Sequence, residues 1–160
     1  MVKIIDIEEV GEKESYDIWN HSSCLNNEGN FIIDGMIVHN SILANGVKSF
    51  SDLLFYNAAG HPGPMQCCWS HSNIDTDCGT VEIKKLNPEK HAITARAGNS
   101  IVHTHDYQVI YSGRKKLLKI CLINGKEIIV SPDHKVATEN GFICAKDLSV
   151  GQNVVVHKQS

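Results

Sequence analysis

The sequence predicts a mostly β fold, and three observations carry that expectation. Short apolar runs, alternating or continuous, recur along most of the chain; the Asx-Gly pairs Asp34-Gly35 and Asn124-Gly125 sit between such runs, where hairpin turns belong; and helix signals are confined to one short stretch. A chain of 160 residues with 42% hydrophobic content can bury a core as one modest domain, or as a smaller domain with a passenger segment. The formal net charge of −3 gives no basic footprint for nucleic acid. There is no charged-then-apolar leader, and no apolar run reaches the roughly 18 residues of a membrane span. The expectation is a cytoplasmic protein with no membrane partner and no direct nucleic-acid binding.

Taken in order, residues 2–7 alternate as a strand, and residues 15–19 repeat the pattern after a turn at Gly11. Residues 31–38 form a third apolar stretch, folded back at Asp34-Gly35 into a buried hairpin that brings Ile33 and Met36 together. The residues between, 20–30, read as a polar loop. Residues 49–55 suit a short helix capped by Ser49 or Ser51. Pro62 and Pro64 then forbid a helix or a central strand, because neither has a backbone donor. Residues 41–66 thus read as a passenger between two β-rich regions. Strand signals return at residues 80–86, 91–97, 100–112, 117–123 and 127–131. Asn124-Gly125 turns residues 117–123 onto 126–130, and the tail adds two more short strands, at 142–144 and around Gly151.

The cysteines are Cys24, Cys67, Cys68, Cys78, Cys121 and Cys144. Without a leader peptide they do not read as a disulfide framework. Cys121 and Cys144 lie in apolar runs and are expected to pack as small buried hydrophobes. The Cys67-Cys68 doublet follows a Pro/Gly segment outside any periodic pattern, where a reactive thiol is expected.

Three clusters concentrate chemistry. His39-Asn40-Ser41 closes the hairpin; Cys67-Cys68 leads into a strand and on to residues 79–86; Ser131-Pro132-Asp133-His134 precedes Asn140-Gly141-Phe142 and residues 146–151. Each alone is an ordinary turn composition. Together they resemble the conserved blocks of inteins. Residues 30–41 (NFIIDGMIVHNS) are similar to the intein C-terminal end, an apolar hairpin with Asn/Asp-Gly, then His-Asn, then Ser, Thr or Cys. Residues 130–142 (VSPDHKVATENGF) resemble the block with a Thr-x-x-His-type motif, here Ser131 to His134, and residues 145–156 resemble the strand pair that follows it. Residues 2–18 resemble the start of a split intein's C-terminal fragment.

The order is inverted. The resemblance implies a C-terminal fragment at 1–40, an extein segment at 41–66 and an N-terminal fragment at 67–160. It also implies a Hint (hedgehog/intein) horseshoe-like β domain with pseudo-two-fold symmetry, assembled from two chain segments. The family opens its N-terminal fragment with a Cys, here Cys67 or Cys68. Counting from Cys67 puts Ser72, Ile74 and Thr76 on the expected alternate positions and fits Gly79, Ile83 and Leu86. Counting from Cys68 puts Asp75 where an apolar residue is usual, so Cys67 is favoured and Cys68 stays as the alternative. Gly29 stands where many inteins carry a His, a place His21 would have to fill, and Asp17 is read as structural. The passenger, with Phe50-Ser51-Asp52-Leu53-Leu54, Asn57-Ala58-Ala59 and Pro62-Gly63-Pro64-Met65, resembles part of the bacterial DNA polymerase III alpha subunit, without recognisable metal-binding carboxylates.

The chemistry of this set is peptide-bond rearrangement. A thiol at Cys67 can attack the Gln66 carbonyl and turn the amide into a thioester. That step is uphill unless the amide is strained and its departing nitrogen is protonated, a task for His134, with Ser131 and backbone N–H groups holding the bond and its oxyanion. Ser41 can take the acyl group from sulfur. Asn40 can close a succinimide on its own carbonyl and cut before Ser41, with His39 polarising that carbonyl. No cofactor is required. The partners are the chain's own two fragments, which would release residues 41–66 as a cyclic peptide, or complementary fragments on other chains. The alternatives are a β-rich interaction domain and a zinc-binding module built from Cys67, Cys68, His71, Cys78, His91, His103 and His105. In the latter His103 and His105 would share a strand face, although the spacing lacks a C-x-x-C knuckle.

Overall fold

The computed structural model describes residues 1–20, 30–39 and 67–157. The expected helix at 49–55, His21, Cys24, Gly29, Asn40, Ser41 and Gln66 all lie outside the described residues. The strands, in chain order, are β1 (Val2–Asn20), β2 (Asn30–Ile33), β3 (Met36–His39), β4 (Cys68–Trp69), β5 (Asn73–Thr76), β6 (Gly79–Glu82) and β7 (Ile93–Ala97). There follow β8 (Ser100–Thr104), β9 (Tyr107–Leu122), β10 (Glu127–Val130), β11 (Lys135–Thr138), β12 (Gly141–Cys144) and β13 (Asn153–Val154). Among the described residues the helical pieces are two 3-10 turns, Ile83–Lys85 and Ala145–Asp147. None is long and apolar enough to cross a membrane. The fold is mostly β, as expected.

All strands pair antiparallel in one sheet, ordered β4-β10-β9-β1-β13-β11-β3-β2-β5-β7-β8, with β12 on β11 and β6 on β5. The longest ladder joins β1 to β9, from Ile4–Leu122 to Asn20–Tyr107. The expected turn at Gly11 is not a turn: β1 runs straight through it. The ladder steps from Glu9–Leu118 to Glu12–Lys116, so Val10 and Gly11 stand opposite Leu117 alone. Gly11 adopts φ +77, the left-handed geometry that lets one extra residue bulge out of a strand instead of reversing it. Along this ladder Lys119 Nζ lies 3.5 Å from Glu8 and Arg114 Nη1 lies 3.7 Å from Glu14. Such exposed pairs add little stability singly, yet a one-residue slip would turn every partner to the opposite face.

The Asp34-Gly35 hairpin forms as the sequence predicts. Both residues have positive φ, +50 and +89, the signature of a type I′ turn, and Ile33 pairs with Met36. The second hairpin has a loop one residue longer than a two-residue turn. Gly125 N–H donates to the Leu122 carbonyl at 3.0 Å while Leu122 N–H donates to that of Lys126 at 2.9 Å, leaving Ile123, Asn124 and Gly125 as the loop.

Residues of the 1–39 stretch and residues of the 67–157 stretch share one core. Ile4, Ile18, Phe31 and Met36 pack with Ile74, Ile93, Tyr107 and Ile120, each no more than 2% exposed. Burying one such side chain is worth about 1.5–3 kcal/mol, so this common core holds the two stretches together. An Asn30 clasp adds direction: its Nδ2 donates to the Arg96 carbonyl at 2.8 Å and its Oδ1 accepts the Arg96 N–H at 2.7 Å, fixing β2 beside β7.

Other expectations are revised. The run at 80–86 leaves strand geometry after Glu82: Ile83 N–H still reaches the Ser72 carbonyl at 2.9 Å, but Leu86 N–H then turns back to the Ile83 carbonyl at 3.2 Å and closes a 3-10 turn. The run at 100–112 breaks at His105, where Asp106 N–H turns to Thr104 Oγ1 at 3.0 Å, so His103 is in β8 and His105 is not. Cys121 and Cys144 are partly buried rather than enclosed, and Cys121 Sγ reaches Glu127 at the sheet surface.

Candidate functional site

The two residues of β4 wedge between β10 and β1, with Cys68 paired to Val130 on one side and Tyr16 on the other. Cys67, one residue earlier, is held by Ser131, one residue past β10. Its N–H donates to Ser131 Oγ at 3.0 Å, and its carbonyl accepts the Ser131 N–H at 2.8 Å. The Ser131-Pro132-Asp133-His134 segment is a tight turn closed by His134 N–H on the Ser131 carbonyl at 3.0 Å. Two further bonds pin it: Ala145 N–H to the His134 carbonyl at 2.8 Å, and Lys146 N–H to that of Pro132 at 2.9 Å. The turn swings the His134 ring inward, and its Nδ1 lies 3.1 Å from the Cys67 carbonyl oxygen. To bond there Nδ1 must carry the hydrogen. The Phe31 ring meets the imidazole edge-to-face with centroids 5.9 Å apart, and both Cys67 and His134 are fully buried.

Burial pushes the Cys67 thiol up to about 11, and the Asp17 carboxylate adds to the rise, while the hydroxyls of Ser131 and Ser15 and the Lys115 ammonium pull it back. The Cys68 thiol is also raised, by burial, then Asp17, then its neighbour Cys67. Its Sγ donates to the Tyr16 carbonyl at 3.5 Å and its side chain belongs to the main core. Both cysteines keep polar neighbours: Ser131, Ser15 and Lys115 at Cys67, and the Ser72 hydroxyl and the Tyr16 carbonyl at Cys68.

Asp17 enters this site although the sequence reading made it structural. It is fully buried in β1, its Oδ1 accepts the Ile18 N–H at 2.8 Å, and its charge bears on both thiols. The available signal was an acid between Tyr16 and Ile18 in an alternating apolar run. Ser15 was missed too. It is fully buried two residues earlier, and its Oγ donates to the Lys13 carbonyl at 3.0 Å.

The backbone of His39 ends β3, paired with Asn30 across the hairpin. β3 runs antiparallel to β11 with Val38 opposite Val136, so the end of β3 lies beside the start of β11, immediately after His134. Asn40, Ser41 and Gln66, the remaining expected site residues, are not among the described ones.

The residues of the zinc alternative are engaged separately. His71 Nδ1 meets Glu82 at 2.8 Å, His91 Nδ1 accepts the Asn87 N–H at 3.1 Å, His103 Nδ1 meets Thr94 Oγ1 at 3.2 Å, and His105 Nδ1 meets the Pro88 carbonyl at 2.6 Å. Among the described residues no three His, Cys, Asp or Glu side chains gather as a metal site requires.

No known family profile matches the chain. A probable translation initiation factor IF-2 of Methanocaldococcus jannaschii is similar to it, 23% identical over 120 residues that cover 62% of this chain and 10% of that protein. The chain therefore spans about a tenth of the length of the curated relative it matches.

Proposed function

We propose that the chain carries out intein-type protein splicing, an autocatalytic single-turnover rearrangement in a Hint-like domain built from residues 1–40 and 67–160. One observation carries the reading: the amide nitrogen of Cys67 is held 3.0 Å from Ser131 Oγ while the His134 imidazole stands 3.1 Å from the carbonyl of the same residue. An amide gripped at its nitrogen by a hydroxyl, beside a buried imidazole, is equipped for N-to-S acyl shift.

In that shift the Cys67 sulfur bonds to the Gln66 carbonyl carbon and loses its proton. The Gln66–Cys67 C–N bond breaks as the departing amine gains a proton through His134. With a thiol pKa of about 11, about one molecule in ten thousand is thiolate at neutral pH. The resting site is therefore quiet, and reaction awaits removal of the thiol proton. Ser41 then takes the acyl group by transesterification, Asn40 cyclises with help from His39, and an O-to-N shift restores the peptide bond.

The pairing of β1 with β4 and β9, and of β3 with β11, supports assembly within one chain, which would release residues 41–66 as a ring. Splicing in trans with fragments on other chains is the other arrangement, and the polymerase-like passenger would then be joined to flanking exteins.

The test is thiol-induced cleavage followed by mass spectrometry. Cys67→Ala should abolish cleavage after Gln66, while Asn40→Ala should abolish the cut before Ser41 and leave a thioester that added thiol releases. Cleavage that persists in Cys67→Ala but is lost in Cys68→Ala would move the nucleophile by one residue. An intact chain under every condition would end the proposal.

A further inference from the structure

The pleat places a second hydroxyl beside the sulfur. In the β1–β4 ladder Ser15 pairs with Trp69 and Tyr16 with Cys68, and continuing that step past the end of β4 sets Cys67 beside Asp17, whose charge bears on its thiol. Side chains alternate along a strand, which puts Ser15 and Asp17 on one face with Trp69 and Cys67, and Tyr16 with Cys68 on the other. The packing agrees. Cys67 and Trp69 share a small cluster with Leu117 and Ile129, whereas Cys68 and Tyr16 belong to the main core. Ser15 is thus the diagonal neighbour of Cys67, on the closed face, with no solvent contact.

We infer that the Ser15 hydroxyl, carried by β1, holds the Cys67 sulfur for attack on the Gln66 carbonyl, so that the first step awaits docking of the leading strand. The inference rests on the splicing reading. At rest the hydroxyl donates to the Lys13 carbonyl at 3.0 Å. A hydroxyl has a single hydrogen and a free rotor, so it can turn from that carbonyl to the sulfur as the thiol proton leaves. Ser15 supplies no atom to the product; sulfur gains the acyl carbon, and the Cys67 amine leaves with a proton. The charged groups that bear on the sulfur are Asp17 from β1 and Lys115 from β9; the His134 imidazole, from the turn before β11, meets the carbonyl of the same residue, and the Cys68 side chain lies on the other face. The Ser15 hydroxyl acts on the thiol in the same direction as Lys115, against burial and Asp17. Its neighbour Ser131 belongs to the trailing stretch, so the two hydroxyls at one sulfur come from opposite sides of the passenger.

The experiment compares Ser15→Val and Ser15→Thr with the parent in the full chain. They are nearly equal in volume and differ in the hydroxyl, and the readout is the rate of dithiothreitol-induced cleavage after Gln66 from pH 6.5 to 9.5. Loss of a hydrogen bond to a charged sulfur displaces its titration by about one unit, and the higher intrinsic nucleophilicity returns part of that. Ser15→Val should therefore cleave about three- to tenfold more slowly across the range, with Ser15→Thr close to the parent. Equal losses in both variants would assign Ser15 a packing role and overturn the inference, as would a Val variant that matches the parent. A parent that never cleaves after Gln66 would instead overturn the splicing reading itself, and this inference with it.

Discussion

Replacing Asp75 with Asn tests the electrostatics where the leading hairpin meets the trailing strands. Asp75 lies in β5 at 2% exposure; burial, then the Asp34 carboxylate, raises its pKa from 3.8 to about 6, against the pull of Lys126. Lys126 Nζ is 3.6 Å from Asp34 Oδ1 and its charge also bears on Asp75, so the ammonium serves two carboxylates, one from β5 and one from the β2–β3 turn. A raised acid pKa means the folded state holds a proton that the unfolded state has already released. Stability therefore falls as pH rises from about 4 to about 6 and is level beyond. A two-unit shift corresponds to about 3 kcal/mol at most. The carboxylate borders a half-open depression with Gly35, Asn124 and His157, and solvent screening there reduces the effect to about 1–2 kcal/mol. Asp75→Asn should then match the parent near pH 4 and exceed it by about 1–2 kcal/mol at pH 7. Urea unfolding of both chains at several pH values between 4 and 7 measures the difference. A variant less stable than the parent at pH 7, or a difference that does not grow between pH 4 and 6, would refute the reasoning.

Three further outcomes are expected. Ser131→Ala leaves the buried Cys67 N–H without its acceptor, costing about 1–3 kcal/mol in denaturant unfolding, and slows thiol-induced cleavage on the order of tenfold to hundredfold; an unchanged rate would remove Ser131 from the site. Gly35→Ala forces φ +89 on a residue with a Cβ and brings that carbon to 3.2 Å from the His157 carbonyl oxygen. It should destabilise by about 1–2 kcal/mol, seen as a lower thermal midpoint, and an equal midpoint would contradict the turn geometry. In the native chain, maleimide labelling read by peptide mapping should reach exposed Cys78 well before buried Cys67 and Cys68. Early labelling of either buried thiol would contradict their enclosure.

Much of the fold was legible because its signals are local. Asp34-Gly35 and Asn124-Gly125 announce their hairpins through residues that accept positive φ, and the alternation of Ser72, Ile74 and Thr76 survives as one buried face. What escaped depends on distant partners. Gly11 reads as a turn in isolation and becomes a bulge only because β9 is long enough to continue the ladder past it. His103 and His105 look like one strand face until Thr104 Oγ1 captures the Asp106 N–H between β8 and β9. Cys121 sits in an apolar run, yet it reaches the surface because its ladder partner is Glu127. The site divides in the same way. Cys67, Ser131 and His134 were visible as residue types suited to one reaction, and the described structure brings those three together. Ser15 and Asp17 carry no motif, and only the register of β1 against β4 places them on the Cys67 face.

The most direct measurement is tandem mass spectrometry of the full chain incubated with mercaptoethanesulfonate, a thiol that caps a thioester where it forms. The expected result is the capping group on the carboxyl of Gln66, in a fragment whose new partner begins at Cys67. A cap at any other carboxyl, or a chain that keeps its intact mass after prolonged incubation, would contradict the central claim that Cys67, Ser131 and His134 form a peptide-rearranging site.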